Sequence, residues 1–261
     1  MNGSTRRTWR VWRYFASQYR RTWKGSLVET FLAPLLYLAA LGVGLGNEVH
    51  GGRPVASLGG VRYLTFLGTG LLAPAVVQVA ASETTYPVVS AIKWQRVYDA
   101  MLATPVGVGE VVAGQLGWVA TRLGIAAAAF GVVLVGFGLT TPLRALLALP
   151  VAVATGLAVG APVAAYSVTR ETDAGLAGVF RFVVVPLLLF SGTFFPVGEL
   201  PPALGVLVRA LPLAPGVAAC RAILLGRAEP GPLAADVGQL LAVAAAGTLA
   251  ASLAYRRRLR R

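Results

Sequence analysis

Few residues in this chain are of a type that does covalent chemistry, and their spacing excludes most of it. Cysteine occurs once, at Cys220, and histidine once, at His50. An intrachain disulfide, a multi-cysteine metal site and His-pair chemistry are therefore ruled out. The two lysines are Lys24, followed by Gly25, and Lys93, followed by Trp94. A phosphate-binding loop needs Gly-x-x-x-x-Gly-Lys-Ser/Thr, so the chain cannot hydrolyse ATP by that route. Ser191, in Phe190-Ser191-Gly192, lacks a nucleophile elbow and a nearby base. No grouping of His, Asp and Glu suits a metal or acid–base site.

The polar residues that do stand out sit at the edges of apolar runs or inside them. Glu29, Glu83 and Arg122 are ionisable groups in or beside such runs. A proton-coupled path needs a buried ionisable group in mid-membrane, whereas these three read as groups that snorkel or pair at the boundary. Whether Glu29 pairs with Arg122 is left open by the sequence. Thr65, Thr69 and Gln78 lie within one apolar run. They either hydrogen-bond between helices or line a substrate path, and spacing does not separate the two.

The elements that must position these residues follow from composition. Of 261 residues 56% are hydrophobic, mean hydropathy is +0.71 and only 13% are charged, against about 25% in soluble domains. Six runs approach or exceed the roughly 20 apolar residues of a span: 27–46, 63–81, 111–139, 145–168, 174–197 and 237–255. The expectation is an all-α membrane protein with six transmembrane helices. Pro34, Pro74, Pro150, Pro162 and Pro186 fall inside them as packing kinks, tolerated where neighbours re-satisfy freed carbonyls. Residues 203–211 and 216–225 form short apolar stretches separated by Pro212 and Pro215. Each reaches about 15 Å, so they read as short re-entrant helices before the last span.

Charge is read by position. The net charge of +13 would suggest nucleic acid in a soluble protein, but the apolar runs decide against it. On the six-span layout fifteen cations fall on one side and six on the other, which puts both termini in the cytoplasm. The long basic region before the first run argues for an uncleaved span, not a signal peptide. Residues 1–25 form a first unit and 26–261 the transmembrane unit. On a helical wheel Trp9, Trp12, Tyr19 and Trp23 fall on one side of the first unit, within about 20–180°. Seven cations, from Arg6 to Lys24, share the other. That segregation describes an interfacial helix on an anionic leaflet; the alternative is a solvated basic tail that only sets topology.

Residues 82–110 link the second and third runs. They carry Glu83, Lys93, Arg96, Asp99 and Glu110, together with Tyr86, Trp94, Tyr98 and Met101. Residues 88–103 read as one helix ending before Thr104-Pro105. A cytoplasmic helix of mixed apolar and charged character suits docking to another protein; contact with lipid alone is the alternative.

Four stretches carry a resemblance. They are Phe31-Leu32-Ala33-Pro34-Leu35-Leu36-Tyr37-Leu38 running to Gly46, Tyr63-Leu64-Thr65-Phe66-Leu67 with Gly70, Trp94-Gln95-Arg96 through Pro105, and Phe190-Ser191-Gly192 through Phe195-Pro196-Val197 to Leu211-Pro212-Leu213-Ala214. In this order they resemble the membrane subunits of type-2 ABC exporters, the nodulation-factor export permeases and, more distantly, drug-resistance permeases of the daunorubicin type. The resemblance implies a cytoplasmic coupling helix and a dimer, here two copies of this chain. It also implies a separate ABC-type ATPase subunit, which would bind ATP and Mg; this chain holds no cofactor. Carried over residue by residue, the coupling region falls on Lys93, Trp94, Gln95, Arg96, Asp99, Ala100 and Met101.

The expected function is the permease subunit of an ATP-driven exporter in the bacterial cytoplasmic membrane, with membrane lipid around it. The substrate is amphipathic, of drug, lipid-linked or saccharide type. The alternatives are a stand-alone secondary transporter, which lacks a clear mid-membrane carboxylate here, and a non-transporting membrane scaffold.

Overall fold

A computed structural model describes residues 3–40, 60–171 and 174–259, without the side chains of 22–24, 26–31, 33–34, 37 and 174. The described residues are almost wholly helical. Helix α1 (Gly3–Ala39) leads to α2 (Tyr63–Thr84), α3 (Tyr86–Lys93) and α4 (Val97–Leu102). Two long helices follow, α5 (Val108–Gly136) and α6 (Pro142–Val168), then α7 (Ala174–Val179) and α8 (Val185–Phe190) joined by a π-helical turn. Helices α9 (Pro202–Ala210), α10 (Leu213–Leu225) and α11 (Pro230–Leu259) complete the chain.

Small residues let the long helices approach closely, as membrane bundles require. A Cβ on Gly247 of α11 would collide with the ring of Pro162 on α6, and one on Gly156 of α6 would lie 2.6 Å from Leu123 and 2.9 Å from Val76. The core so formed runs through Leu67, Leu72 and Val76 of α2, Leu123 and Leu134 of α5, Ala152 and Val159 of α6, and Leu240 of α11.

Helix α2 does not stop at a loop. It bends at Thr85 and continues as α3, and together they form one 31-residue apolar stretch, Tyr63–Lys93. The Thr84 and Thr85 hydroxyls donate to the carbonyls of Ala80 and Ala81, the back-bonding that bends helices. Pro87 then supplies no N–H to the first turn of α3.

The six-span expectation is corrected. Four helical stretches are long and apolar enough to cross a membrane among the described residues: Tyr63–Lys93, Val108–Gly136, Pro142–Val168 and Pro230–Leu259. A fifth is reached only by counting α9 and α10 as one span, and they are bent by 82°. The expected span 27–46 lies in α1 as far as residue 40, and its remainder falls outside the described residues. From residue 27 to 40 the helix covers about 21 Å at 1.5 Å per residue, short of the roughly 30 Å hydrocarbon core. The expected span 174–197 fails for a different reason. Its apolar helix, Gly175–Phe190, stops at a turn where Gly192 takes a φ of +82°.

Helix α10 follows only the first half of α6. Gly216, near its start, packs on Thr155 at the middle of α6, and Gly226, just past its end, packs on Arg144 near the α6 start. Its last carbonyls, of Leu224 and Leu225, accept from Thr140 Oγ1 and Arg144 Nη1.

Candidate functional site

Helices α3 and α4 cap one end of the bundle, and the expected single helix over 88–103 is two. The N–H groups of Trp94 and Gln95 both reach back to the Ser90 carbonyl, closing α3. Arg96 then takes φ 47°, the only left-handed non-glycine among the described residues. A side chain in that region costs roughly 1–2 kcal/mol. The break turns the chain so that Lys93, Trp94, Gln95, Arg96, Asp99 and Ala100 are exposed and Met101 is half-buried. Trp94 is 65% exposed.

Beneath this surface α4 is rooted in the bundle. Tyr98 is 1% exposed and its hydroxyl donates to Gln115 Oε1 on α5 at 2.8 Å. Tyr255, near the end of α11, donates to the same oxygen at 2.7 Å. Burial pushes the Tyr98 phenol well above the usual tyrosine range, with Tyr255 adding to the rise, so Tyr98 stays a neutral donor. Val88, Ala91, Val111, Val112, Leu116, Ala161 and Ala251 close around the tyrosines. A change in α4 is therefore felt by α5 and α11 through one amide oxygen. The signals for this network were a glutamine in the first turns of an apolar run and a tyrosine directly before a run of arginines. Gln115 was not singled out from sequence.

Helix α1 runs parallel to α5 without a break at residue 25. Arg7 Nε pairs with Glu110 at 2.8 Å, Val11 fills the space beside Gly114, and Leu38 lies beside Gly68 and shares its surroundings with Leu134. Trp12 Nε1 donates to Thr121 Oγ1 at 3.0 Å and its ring meets Trp118 edge-on at 6.0 Å. Tyr19 also packs on Trp118. Trp9 stacks on Trp12 and stays 52% exposed. The Trp23 side chain lies outside the described residues.

Arg122 bonds Glu83 Oε1 at 2.9 Å and sits 4.1 Å over the Tyr19 ring. The ion pair joins α2 to α5 beside α1. The Glu29 side chain, whose pairing the sequence leaves open, lies outside the described residues. Together α1, α2, α3 and α5 line an open-sided cavity of about 450 Å³, with Glu83 on its wall.

The path candidates separate. Thr69 is fully buried and its hydroxyl donates to the carbonyls of Thr65 and Phe66 in its own helix. Thr65 is half-buried, and Gln78 is exposed on the outside of α2. At the end away from α3–α4, Arg221 holds the carbonyls of Gly192 and Thr193 at 2.9 and 3.1 Å, over the Phe66 ring. The Ser191 hydroxyl is hydrogen-bonded to that of Thr193 at 2.8 Å.

Residues 6–225 match the family model described as ABC-2 type transporter. Nodulation protein J of Rhizobium meliloti is 34% identical over 218 residues, covering 83% of this chain and 80% of that protein. Nodulation protein J of Rhizobium leguminosarum bv. trifolii is 34% identical over 225 residues, with the same coverage. That of Bradyrhizobium diazoefficiens is 29% identical over 251 residues, 96% of this chain and 93% of the relative.

Proposed function

The chain belongs to the ABC-2 type transporter family as a membrane permease related to nodulation protein J, and from that premise we propose that it is the membrane subunit of an exporter driven by a separate ATPase docked on α3–α4. The observation that carries the reading is the contrast within α3–α4. Trp94, Lys93, Arg96 and Asp99 face solvent, while Tyr98, two residues from Arg96, is tied to α5 and α11. A large exposed aromatic among charges is the composition of an interface anchor. A rigid root is what a docking surface needs if it is to move the bundle.

Charge supports the placement of this end in the cytoplasm. Lys93, Arg96, Arg170 and Arg256 to Arg258 lie at the α3–α4 end; Arg62, Arg144 and Arg227 lie at the other. Cations gather on the cytoplasmic side of membrane proteins. Arg7 beside Glu110 and Arg258 beside Glu171 bring both ends of the described chain to the same face, which supports a cytoplasmic position for both termini in the bacterial inner membrane. The first turns of α1 lie at that boundary, with Trp9 exposed toward headgroups, and the helix then continues along α5. Gln78 is the path-lining candidate on α2. Two copies of the chain and two ATPase subunits form the working unit, and its cargo is amphipathic, of drug, lipid-linked or saccharide type.

Site-directed cross-linking tests the docking. A cysteine at position 94 in a Cys220→Ser background is expected to cross-link to the ATPase subunit in membranes containing both, whereas one at position 143, on the exposed Leu143 at the opposite end, is not. Equal cross-linking from both positions, or none from 94, contradicts the assignment.

A further inference from the structure

We infer that the cavity between α1, α3 and α5 binds the anionic phosphate head of an amphipath at the membrane boundary. Its volume of about 450 Å³ falls in the range of roughly 300–1,000 Å³ that ligand pockets occupy. Tyr14, Gln18 and Arg21 of α1 face Ser90 of α3 and Gln115 and Trp118 of α5 across it.

Its charge is positive. Glu83, the one carboxylate among the described lining residues, is bonded to Arg122 at 2.9 Å, and among the described residues no carboxylate is paired with Arg21 on the wall. Arg10, Arg13 and Arg20 are exposed elsewhere on the same helix. Its hydrogen-bonding capacity leans to donors. Gln115 Oε1 already accepts from Tyr98 and Tyr255, so Gln115 has only its NH2 group left to offer. Tyr14 Oη accepts from Gln18 Nε2 at 3.3 Å, and its own proton remains to donate. The free oxygens of an ionised phosphodiester accept and do not donate, and a guanidinium supplies the charge-assisted bond that holds them. The aromatic rings of Tyr14 and Trp118 suit the headgroup level, where one edge of a ligand is wet and the other apolar.

Gln115 also connects the occupant to α4. A head bonded to its NH2 group shares a side chain with Tyr98, so occupancy stiffens 97–102. The consequence for ATPase docking rests on the proposed function, but the binding itself does not.

The test uses the full chain in nanodiscs of phosphatidylcholine, titrated with short-chain phosphatidylglycerol or with inorganic phosphate. Trp118 emission, taken as the difference from a Trp118→Phe variant, reads binding, and amide exchange of residues 97–102 reads the link to α4. Phosphatidylglycerol is expected to shift the emission saturably and slow the exchange, with Arg21→Gln weakening half-saturation about tenfold. Tyr98→Phe is expected to keep the emission response and lose the exchange response. Both responses to inorganic phosphate alone would make the ligand a soluble phosphate compound bound by the same groups. No response to either titrant, or Arg21→Gln titrating like the wild type, overturns the site; an exchange response that survives Tyr98→Phe overturns the link to α4. Each readout needs only the permease, so these failures are distinct from a failure of ATPase docking.

Discussion

Tyr98 and Tyr255 lie far apart in the sequence, yet their hydroxyls donate to one oxygen, Oε1 of Gln115, at 2.8 and 2.7 Å, with their rings 5.7 Å apart. Removing the acceptor and removing one donor have unequal costs. Tyr255→Phe loses one hydrogen bond, about 0.5–1.5 kcal/mol. Gln115→Leu removes the acceptor that both buried hydroxyls share and leaves them only each other, and it is expected to cost roughly 1–3 kcal/mol. Thermal unfolding of the purified permease checks the order; the reverse order would mean that the shared acceptor does not hold the network.

Two glycines on α11 make opposite predictions. Gly247→Ala drives a methyl into Pro162 and is expected to cost about 1–3 kcal/mol by overpacking. Gly238 has nothing within 4 Å of a built Cβ. Gly238→Ala is expected to be neutral or to stabilise by up to about 1 kcal/mol through helix propensity. Melting curves of the two variants, measured side by side, check both.

The seat of α1 on α5 is open to proteolysis. Gly114 leaves room for Val11, and a Cβ there would lie 2.6 Å from Val11 Cβ. Gly114→Leu is expected to pry the first turns of α1 away and speed tryptic cleavage among Arg6 to Arg21, with the rest of the bundle resistant. A cleavage rate equal to wild type would mean that the arginine segment is held by lipid and not by α5.

Hydropathy located the helices that depend on a long, unbroken apolar stretch: α2, α5, α6 and α11. It failed where local backbone chemistry cuts a stretch short. The apolar run 174–197 reads as a span, but the turn at Gly192 ends its helix at Phe190. Periodicity likewise carried 88–103 through as one helix, because no residue type announces a left-handed arginine at 96. The aromatic side of residues 1–25 was legible, but its neighbour was not. A wheel cannot tell lipid from the face of α5, and Trp12 and Tyr19 found Trp118. Glu83 and Arg122 were both visible as boundary charges, and only the parallel seating of α1 on α5, against α2, shows why they meet.

The strained backbone at Arg96 separates stability from docking. Arg96→Gly removes the Cβ that disfavours φ 47° and is expected to stabilise the permease by about 0.5–1 kcal/mol, less what glycine costs the unfolded chain. If Arg96 docks a partner, the same variant lowers ATPase stimulation while its melting temperature holds or rises. Loss of both would place Arg96 among the structural residues.

Coupling through α3–α4 is tested most directly by ATP hydrolysis in the reconstituted complex as permease is titrated against the ATPase subunit. Trp94→Ala with Arg96→Ala is expected to leave the melting temperature of the permease unchanged, since both side chains are exposed. A lost interface anchor costs about 2 kcal/mol or more, so half-maximal stimulation should require over about tenfold more permease. Stimulation at the wild-type concentration by a fully folded double variant would contradict the assignment of α3–α4 as the docking surface.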